Sequence, residues 1–573
     1  MPVTRQSRSG RAADVRDGTI LKTGIIGSVI AAICCFTPVL VIGLGAVGLS
    51  AWLGWLDYVL LPTLALFLGI SAVGLWRRHN RKPAARPQQT QTRETDDMAD
   101  CCETNGKPNG QYDLAVIGAG SAGFSAAITA AEQGAQVALI GHGTIGGTCV
   151  NVGCVPSKTL IRAAESLHHA NAAARFAGIE GHAKITDWGA LVAQKDELVS
   201  SLRQAKYADL LPAYNGLTYI EGQAQLAEGG VRVNGDLIQA PKVIITTGAR
   251  PAVPSIPGIE MVDYLTSTTA LDLEHLPKSL LVVGGGYIGA ELAQIFARAG
   301  VEVTIVCRSR LLPAAELEIS GALGGYLRDE GVHLIEGIRY ESIDQTDTGV
   351  TLRIVRNGHS DTLKAERVLI ATGRTPNTEH LDLEGAGIAT SESGGIKVDD
   401  RLRTTRPNVY AAGDVTGRDQ FVYMAAYGAR LAAMNALNGD SLVYDNAGMP
   451  AVAFTDPHVA SVGLTEAKAR EAGYDVKTSV LPLDQVPRAL AARDTRGLIK
   501  LVADAKTDRL LGGQILAPEG ADSVQTLALA LKAGMTAQAL GQTIFPYLTT
   551  VEGLKLAAQT FDKDVAKLSC CAG

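Results

Sequence analysis

The most specific chemical feature of the sequence is a pair of cysteines, Cys149 and Cys154, within the string GGTCVNVGCVPSK at residues 146–158. Two cysteines five positions apart at the start of a helix can form a strained local disulfide. A helix N-terminus and the charge of Lys158 both lower the pKa of a neighbouring thiol, which makes that thiol reactive. The string therefore predicts a thiol–disulfide redox centre rather than two structural cysteines in a turn.

The pattern GxGxxG occurs three times, at residues 43–48, 118–123 and 284–289. The first copy lies inside an apolar run with no strand before it, and we interpret it as helix packing. Each of the other two follows a strand-like run and precedes a helical one, which places a pyrophosphate at a helix N-terminus. Two motifs in this context predict a flavoenzyme that binds two dinucleotides. Their glycines are Gly118, Gly120 and Gly123 in the first motif and Gly284, Gly286 and Gly289 in the second.

The residues that follow the second motif favour NADPH over NADH. The next strand-like run ends at Cys307, and Arg308 and Arg310 stand where a ribose-binding acid is usual. Arginines at this place suit a 2′-phosphate. After the first motif the corresponding run ends at Gly141, so the expected acid is missing there too. Asp414, in the run VYAAGD at residues 409–414, is typical of the third FAD fingerprint.

Six of the nine cysteines form adjacent pairs outside the redox string. Adjacent cysteines rarely bridge each other because the geometry is strained. Three such pairs, one of them in the last residues of the chain, favour the handling of a soft metal ion. The pairs are Cys34-Cys35, Cys101-Cys102 and Cys570-Cys571.

The N-terminal part predicts a membrane hairpin. Between Lys22 and Arg77 the only charged residue is Asp57, and two apolar runs at about 25–47 and 58–76 approach the ~20 residues that a span needs. A signal peptide fits less well, because a second apolar run follows and no clear cleavage site separates the two. Arginine and lysine on both flanks place both ends, and hence the catalytic body, on the cytoplasmic side of a bacterial-type inner membrane.

Composition sets the remaining limits. The 573 residues are 46% hydrophobic and carry a net charge of −6, which excludes a wholly disordered chain and counts against a nucleic-acid partner. Nine cysteines in a chain of this length are too few for a secreted disulfide scaffold.

From about Tyr112 to the C-terminus, the redox string and both glycine motifs resemble the FAD-dependent pyridine-nucleotide disulfide oxidoreductases. The resemblance implies that Cys149 is the interchange thiol, that Cys154 is the thiol next to the flavin, and that Lys158 lies by flavin N5, paired with Glu291. It implies that Tyr287 covers the nicotinamide pocket. It also implies flavin contacts at Gly143, Thr148, Ala224 and Val422.

The C-terminal part departs from the members of this family that act on disulfides. Those members carry a His-x-x-x-x-Glu dyad whose histidine is the base for thiol exchange. Here Glu552 is kept, but Tyr547 stands in the place of the histidine. Tyrosine, with a pKa near 10, is a poor base at neutral pH. The departure argues against a glutathione- or lipoamide-type substrate.

With Cys570-Cys571 in the tail, the whole pattern resembles the mercuric reductases. This resemblance implies a homodimer in which the tail of one subunit delivers thiol-bound Hg(II) to the Cys149/Cys154 site of the other. Electrons would pass from NADPH through FAD and the cysteine pair to Hg(II). The predicted metal-binding thiols are Cys149, Cys154, Cys570, Cys571, Cys34, Cys35, Cys101 and Cys102.

Residues 20–110 resemble the small mercury-transport proteins of bacterial mercury resistance, through the strings AICCFTPVL at residues 32–40 and LDYVLLP at 56–62. The resemblance implies that Hg(II) passes between cysteine pairs across the inner membrane. Residues 80–110, with several prolines and a Gln/Thr run, are typical of a linker.

The predicted fold is α/β, with two Rossmann-like dinucleotide-binding domains and an α+β dimerisation domain, preceded by a transmembrane helical hairpin. The expected parts are the hairpin at 1–79, the linker at 80–110, an FAD-binding domain at 111–250 and 373–445, an NADPH-binding domain at 251–372, and a dimerisation domain at 446–573. The predicted activity is membrane-tethered, NADPH-dependent reduction of Hg(II). The residues leave three alternatives: another soft metal ion, a dihydrolipoamide- or glutathione-type disulfide reductase, and a metal transporter with a non-catalytic flavin body.

Overall fold

The computed structural model describes residues 111–565. The predicted spans, the linker, and the cysteine pairs Cys34-Cys35, Cys101-Cys102 and Cys570-Cys571 lie outside these residues. None of the helices within 111–565 combines the length and the apolar character that crossing a membrane requires.

The helices and strands are numbered in chain order. The helices are α1 Ser121–Glu132, α2 Gly147–Val152, α3 Cys154–Asn171, α4 Trp188–Lys206, α5 Ser267–Ala270, α6 Tyr287–Arg298, α7 Leu317–Asp329, α8 Val422–Asn438, α9 Glu466–Glu471, α10 Pro487–Ala492, α11 Gly520–Lys532, α12 Ala537–Gln542 and α13 Glu552–Gln559. The strands are β1 Leu114–Ile117, β2 Val137–Gly141, β3 Leu217–Glu221, β4 Ala224–Ala227, β5 Gly230–Val233, β6 Asp236–Gln239, β7 Val243–Ile245, β8 Ala249–Pro251, β9 Ser279–Val283, β10 Glu302–Cys307, β11 His333–Glu336, β12 Ile338–Thr346, β13 Gly349–Arg356, β14 His359–Ala365, β15 Arg367–Ile370, β16 Arg374–Pro376, β17 Val409–Ala411, β18 Pro450–Ala453, β19 His458–Gly463, β20 Val476–Pro482, β21 Leu498–Asp504 and β22 Leu510–Ala517.

Two parallel sheets carry the two glycine motifs. The first has the strand order β17-β7-β1-β2-β3 and the second the order β11-β10-β9-β15. Their central strands β1 and β9 are short apolar runs that are almost wholly buried, as expected for parallel strands covered on both faces. Each central strand leads into a glycine turn and then a helix, α1 or α6. The α/β class predicted from the sequence is confirmed.

A third, antiparallel sheet has the order β18-β19-β22-β21-β20, and helices α11 and α13 pack against it. Three small antiparallel sheets complete the architecture: β4-β5-β6, β12-β13-β14 and β8-β16. The third sheet matters for the site because the segment that follows β18 passes beside α6 and α3. That segment contributes contacts that neither parallel sheet supplies.

Candidate active site

The first glycine turn is too tight for side chains. Gly118 has a φ of +114°, and a Cβ on it would lie 2.3 Å from the Thr246 carbonyl oxygen. A Cβ on Gly123 would lie 1.7 Å from the Gly118 carbonyl oxygen, so α1 approaches β1 closely. No side chain caps α1, whose N-cap is Gly120, so its first N–H groups are available to a phosphate.

The second glycine turn repeats this geometry. Gly284 has a φ of +121° and its Cβ would lie 2.3 Å from the Ala371 carbonyl oxygen. A Cβ on Gly289 would lie 2.1 Å from the Gly284 carbonyl oxygen. The N-cap of α6 is Gly286, again with no side-chain cap. The chain therefore holds two turns of the shape that accepts a dinucleotide pyrophosphate.

A cavity of about 1350 Å³ joins the first turn to the start of α6. Its volume exceeds the roughly 300–1,000 Å³ of an ordinary small-molecule site, which suits an extended dinucleotide beside a second ligand. The lining is mostly apolar and includes Gly118 and Gly120. The residues present therefore fit FAD. The other predicted cofactor contacts in the lining are Gly143, Thr148, Lys158, Ala224, Asp414, Val422, Gly286 and Tyr287.

Gly141 explains why the ribose-binding acid is missing after β2. A Cβ at this position would lie 2.6 Å from the Tyr219 hydroxyl oxygen and 2.8 Å from the Ala119 Cβ. The Tyr219 side chain occupies the space that the Cβ of an acidic residue at position 141 would need, so only glycine fits there without movement of its neighbours.

The predicted redox cysteines lie together in this cavity. Cys149 is in α2, Cys154 is the first residue of α3, and both carry free thiols. The hydrogen bond from the Cys149 thiol, helped by the charge of Lys158, lowers the pKa of Cys154 to about 7 against the opposing effect of burial. The same hydrogen bond, together with burial, raises the pKa of Cys149. Of the two thiols, Cys154 is therefore the one that loses its proton at the lower pH.

Lys158 is held beside the thiols by a buried carboxylate. Its Nζ lies 2.8 Å from Glu291 Oε2, and the Glu291 side chain is only 6% exposed. Glu291 lies on α6, four residues after Tyr287, so the pair joins α3 to the helix that follows the second glycine turn. The other oxygen, Glu291 Oε1, accepts a hydrogen bond of 2.8 Å from the Phe454 N–H.

Tyr287 lies at the first position of α6 and lines the cavity. Burial raises the pKa of its hydroxyl, although a hydrogen bond with Ser461 opposes the rise. Its ring centroid lies 6.0 Å from that of Phe421, and Phe421 stacks on Tyr423 at 5.4 Å. Tyr287 thus follows the second turn and lines the same cavity as the thiols, which is compatible with the predicted lid.

Asp414 lines the cavity and pairs with an arginine that the sequence did not single out. Arg374 Nε lies 3.6 Å from Asp414 Oδ2, and Arg374 also donates to the Ala249 carbonyl oxygen. Burial raises the pKa of Asp414, an effect that Arg374 partly offsets. No motif marked Arg374 or Phe454, because each reaches the cavity only when separate strands pack together.

The arginines predicted to select NADPH lie outside the cavity lining. Arg308 is exposed after β10, whereas Arg310 is half-buried. Arg310 Nη2 donates to the carbonyl oxygens of Pro313 and Ala315, at 2.8 and 2.7 Å. Arg310 therefore ties down its own loop, and Arg308 is the less constrained of the two.

The C-terminal pair Tyr547 and Glu552 also lies outside the cavity lining of its own chain. Tyr547 is 53% exposed. Glu552 is buried, and its Oε2 accepts a hydrogen bond of 3.1 Å from the Leu548 N–H. Within 111–565 no cluster of three or more His, Cys, Asp or Glu side chains is arranged to hold a metal ion.

Comparison with known families agrees with this geometry. Residues 112–433 match the family described as pyridine nucleotide-disulphide oxidoreductase, and residues 449–558 match its dimerisation domain. The chain belongs to the pyridine nucleotide-disulphide oxidoreductase family. A further match, to the membrane transport protein MerF, covers residues 37–81.

Curated relatives within the pyridine nucleotide-disulphide oxidoreductases are similar over most of their length. The chain is 49% identical to a mercuric reductase of Staphylococcus aureus over 469 residues, which are 81% of this chain and 85% of that protein. It is 46% identical to a mercuric reductase of Streptomyces lividans over 468 residues, which are 81% of this chain and 98% of that protein.

Among solved structures, the chain is similar to the HOCl-induced flavoprotein disulfide reductase RclA from Escherichia coli in its Cu(II) complex. The TM-score is 0.70 and the identity 34%, over 79% of this chain and 99% of that one. The sheet β18-β19-β22-β21-β20 lies within residues 449–558 and therefore belongs to the dimerisation domain of the family. The predicted combination of two nucleotide-binding sheets with a dimerisation domain is confirmed.

Proposed function

We propose that the chain is an NADPH-dependent reductase that converts Hg(II) to Hg(0) at the Cys149/Cys154 pair. The observation that carries the proposal is the place of this pair: both thiols line the cavity that joins the first glycine turn to the start of α6. The similarity to mercuric reductases supports Hg(II) as the substrate. The reaction balances, because NADPH gives up a hydride, two electrons reduce Hg(II) to Hg(0), and a proton is released.

The chain's own residues supply binding and charge control. Cys149 and Cys154 offer two sulfur ligands, which soft metal ions prefer. Lys158 stabilises the Cys154 thiolate, and Glu291 keeps the Lys158 ammonium in place. Holding the ion between two thiols next to the electron donor supplies proximity, which can contribute several kcal/mol to a reaction barrier.

Two cofactors serve this reaction. FAD fits the cavity at the first turn, and, when bound, it accepts two electrons from the nicotinamide and makes them available to the cysteine pair. We propose FAD contacts from Gly118, Gly120, Gly123, Gly143, Thr148, Lys158, Ala224, Asp414 and Val422. We propose NADPH contacts from Gly284, Gly286, Tyr287, Gly289, Arg308 and Arg310.

We assign the parts of the chain accordingly. Residues 111–250 and 373–445 form the FAD-binding part, residues 251–372 the NADPH-binding part, and residues 446–573 the dimerisation part. The match of residues 449–558 to a dimerisation domain supports a homodimer. In such a dimer Tyr547 and Glu552 would face the partner's thiols, and Cys570-Cys571 would hand over thiol-bound Hg(II) by thiolate exchange.

We also propose that residues 1–79 anchor the enzyme in the inner membrane as a two-span hairpin. The apolar runs at 25–47 and 58–76 and the match of residues 37–81 to a membrane transport family support this part. Cys34-Cys35 and Cys101-Cys102 would then receive incoming Hg(II) ahead of the catalytic body. The catalytic body would lie in the cytoplasm.

The decisive experiment measures NADPH oxidation by the full-length holoenzyme with Hg(II), oxidised glutathione and oxidised lipoamide side by side, and traps released Hg(0) vapour. We expect stoichiometric Hg(0) release with Hg(II) and little turnover of the disulfides. Faster turnover of either disulfide than of Hg(II) would replace the proposal by a disulfide reductase. If none of the three substrates supports NADPH oxidation, the flavin-binding part has no catalytic role in mercury handling.

A further inference from the structure

Phe454 contacts both members of the Lys158–Glu291 ion pair although it comes from the dimerisation sheet. It directly follows β18, and its N–H donates to Glu291 Oε1 at 2.8 Å. Its ring lies beneath the ammonium of Lys158, with 4.7 Å between Nζ and the ring centroid. A cation at this distance over an aromatic face is attracted by the ring quadrupole.

The ring of Phe454 also packs against a buried histidine. His458 packs against it at a centroid distance of 5.6 Å and an angle of 65°, an edge-to-face arrangement. His458 is 5% exposed, and its Nε2 lies 3.7 Å from Glu165 Oε1. Glu165 lies seven residues after Lys158, which puts both side chains on one face of α3. The Phe454 ring therefore contacts Lys158, which belongs to α3, and His458, which pairs with Glu165 of α3.

The backbone around Phe454 is held independently of its ring. Gln294 of α6 accepts a hydrogen bond from the Asp456 N–H at 2.8 Å and donates to the Asp456 carbonyl oxygen at 2.9 Å. Together with the bond from Phe454 N–H to Glu291, these bonds attach the segment 454–456 to α6 along one helical turn. A change in the side chain of Phe454 thus leaves its main-chain bonds in place.

The ion pair with Glu291 leaves the long side chain of Lys158 room to move, so a second contact restricts it further. Its side chain is 33% exposed and has four rotatable bonds, and its ion-pair partner is Glu291. Charge–thiolate attraction falls with distance, so the effect of Lys158 on Cys154 depends on where its ammonium stands. The ring of Phe454 is a second contact of the ammonium, with 4.7 Å between Nζ and the ring centroid.

We propose that Phe454 is a positioning residue, whose ring holds the Lys158 ammonium over the redox site by a cation–π contact. Phe454 acts through Lys158 and needs no contact with substrate. The contact stands on its own geometry, and only its consequence for Hg(II) turnover rests on the proposed function. The dimerisation part thereby contributes directly to the arrangement of the redox centre.

The test compares holoenzyme variants at position 454 that differ in ring electronics. Phe454→Leu removes the aromatic face, Phe454→Tyr keeps it, and 3,4,5-trifluorophenylalanine keeps the shape while weakening the quadrupole. Phe561→Leu is the matched control, because it breaks another lysine–phenylalanine contact, with Lys477 at 5.0 Å, away from the cavity. Acetylation by acetic anhydride is followed lysine by lysine with peptide mass spectrometry, and flavin reduction by NADPH is followed by stopped flow, both without Hg(II).

We expect Phe454→Leu and the fluorinated variant to raise acetylation of Lys158 about threefold to fivefold relative to wild type, because the cation–π contact is lost or weakened. Flavin reduction should slow by a similar factor, Phe454→Tyr should stay within twofold of wild type, and Phe561→Leu should change the acetylation of Lys477 alone. Unchanged Lys158 acetylation in the fluorinated variant, or a Phe454→Tyr variant as affected as Phe454→Leu, would overturn the proposal. If Phe454→Leu fails to retain FAD, the fluorinated variant decides alone, since it preserves packing. Because no arm uses Hg(II), these outcomes are separate from failure of the mercuric reductase proposal.

Discussion

Cys149 in α2 and Cys154 at the start of α3 line one cavity, and the interaction between them lowers the pKa of Cys154 while it raises that of Cys149. The two cysteines are therefore unequal before any substrate arrives. Cys154, at the first position of α3 and favoured by the charge of Lys158, ionises at lower pH than Cys149. This asymmetry distinguishes the two sulfur atoms within one site.

Replacing Cys149 with Ala should abolish Hg(II)-dependent NADPH oxidation, because a single thiol cannot bind the ion as a dithiolate. Bound FAD should remain, since its proposed contacts come mostly from other segments. Turnover and flavin content of the purified variant provide the measurement. Cys307→Ala is the control, because Cys307 is a buried thiol outside the cavity, and it should keep most of the turnover. Full Hg(II) reduction by Cys149→Ala would disprove the dithiol mechanism.

The pKa of Cys154 predicts a pH profile for thiol alkylation. Its folded-state value of about 7 lies below the ordinary value of 9.0, so the thiolate is lost only as pH falls through about 7. Iodoacetamide labelling of Cys154 should therefore rise with pH to a plateau above about 8. Cys307, whose pKa burial raises to about 11, should remain nearly unlabelled over the same range.

Removing the charge of Lys158 should move that profile. In Lys158→Met the labelling midpoint of Cys154 should shift to higher pH, because the positive charge that favours the thiolate is gone. Lys477→Met serves as the control, since Lys477 pairs with Asp508 in the dimerisation part. A midpoint unchanged by Lys158→Met would mean that the Cys149 hydrogen bond alone sets the pKa.

Nicotinamide choice should depend more on Arg308 than on Arg310. Arg308 is exposed, whereas Arg310 donates two hydrogen bonds to carbonyl oxygens of its own loop. Arg308→Ala should raise the KM for NADPH about tenfold or more and the KM for NADH little, as loss of a charge-assisted hydrogen bond implies. Steady-state kinetics with both nucleotides give the comparison, and equal effects would show that Arg308 does not read the phosphate.

The tail cysteines should load metal rather than reduce it. Changing Cys570 and Cys571 to Ala should spare NADPH reduction of FAD but lower turnover of Hg(II) held by bulky or competing thiols, because thiolate exchange needs an entering pair. Weakly held Hg(II) should reach Cys149 and Cys154 directly, so its turnover should fall less.

A mixed dimer tests whether the tail serves the partner. One Cys149→Ala chain combined with one tailless chain should keep a single working site, made of the tailless chain's thiols and its partner's tail. Activity with thiol-bound Hg(II) is compared with both parent homodimers. No recovered activity would mean that the tail acts within its own chain or not at all.

The sequence by itself determined the local chemistry of this protein. Strand, glycine turn and helix are consecutive in the chain, and glycine is required at Gly118 and Gly284 because their φ angles of +114° and +121° are open mainly to glycine. The redox pair is likewise local, since five residues separate Cys149 from Cys154. Such features follow from backbone geometry within a dozen residues and could be read without a structure.

Only the tertiary structure decided how distant segments complete the site. Lys158 and Glu291 are 133 residues apart, and their pairing was expected from family resemblance rather than from any spacing. No pattern marked Phe454, which enters from the dimerisation sheet, or Arg374, which reaches Asp414 from another strand. The physical reason is that these contacts arise when separately formed sheets pack together. The meeting of Lys158, Phe454 and Glu291 depends on that packing, and no sequence pattern marks it.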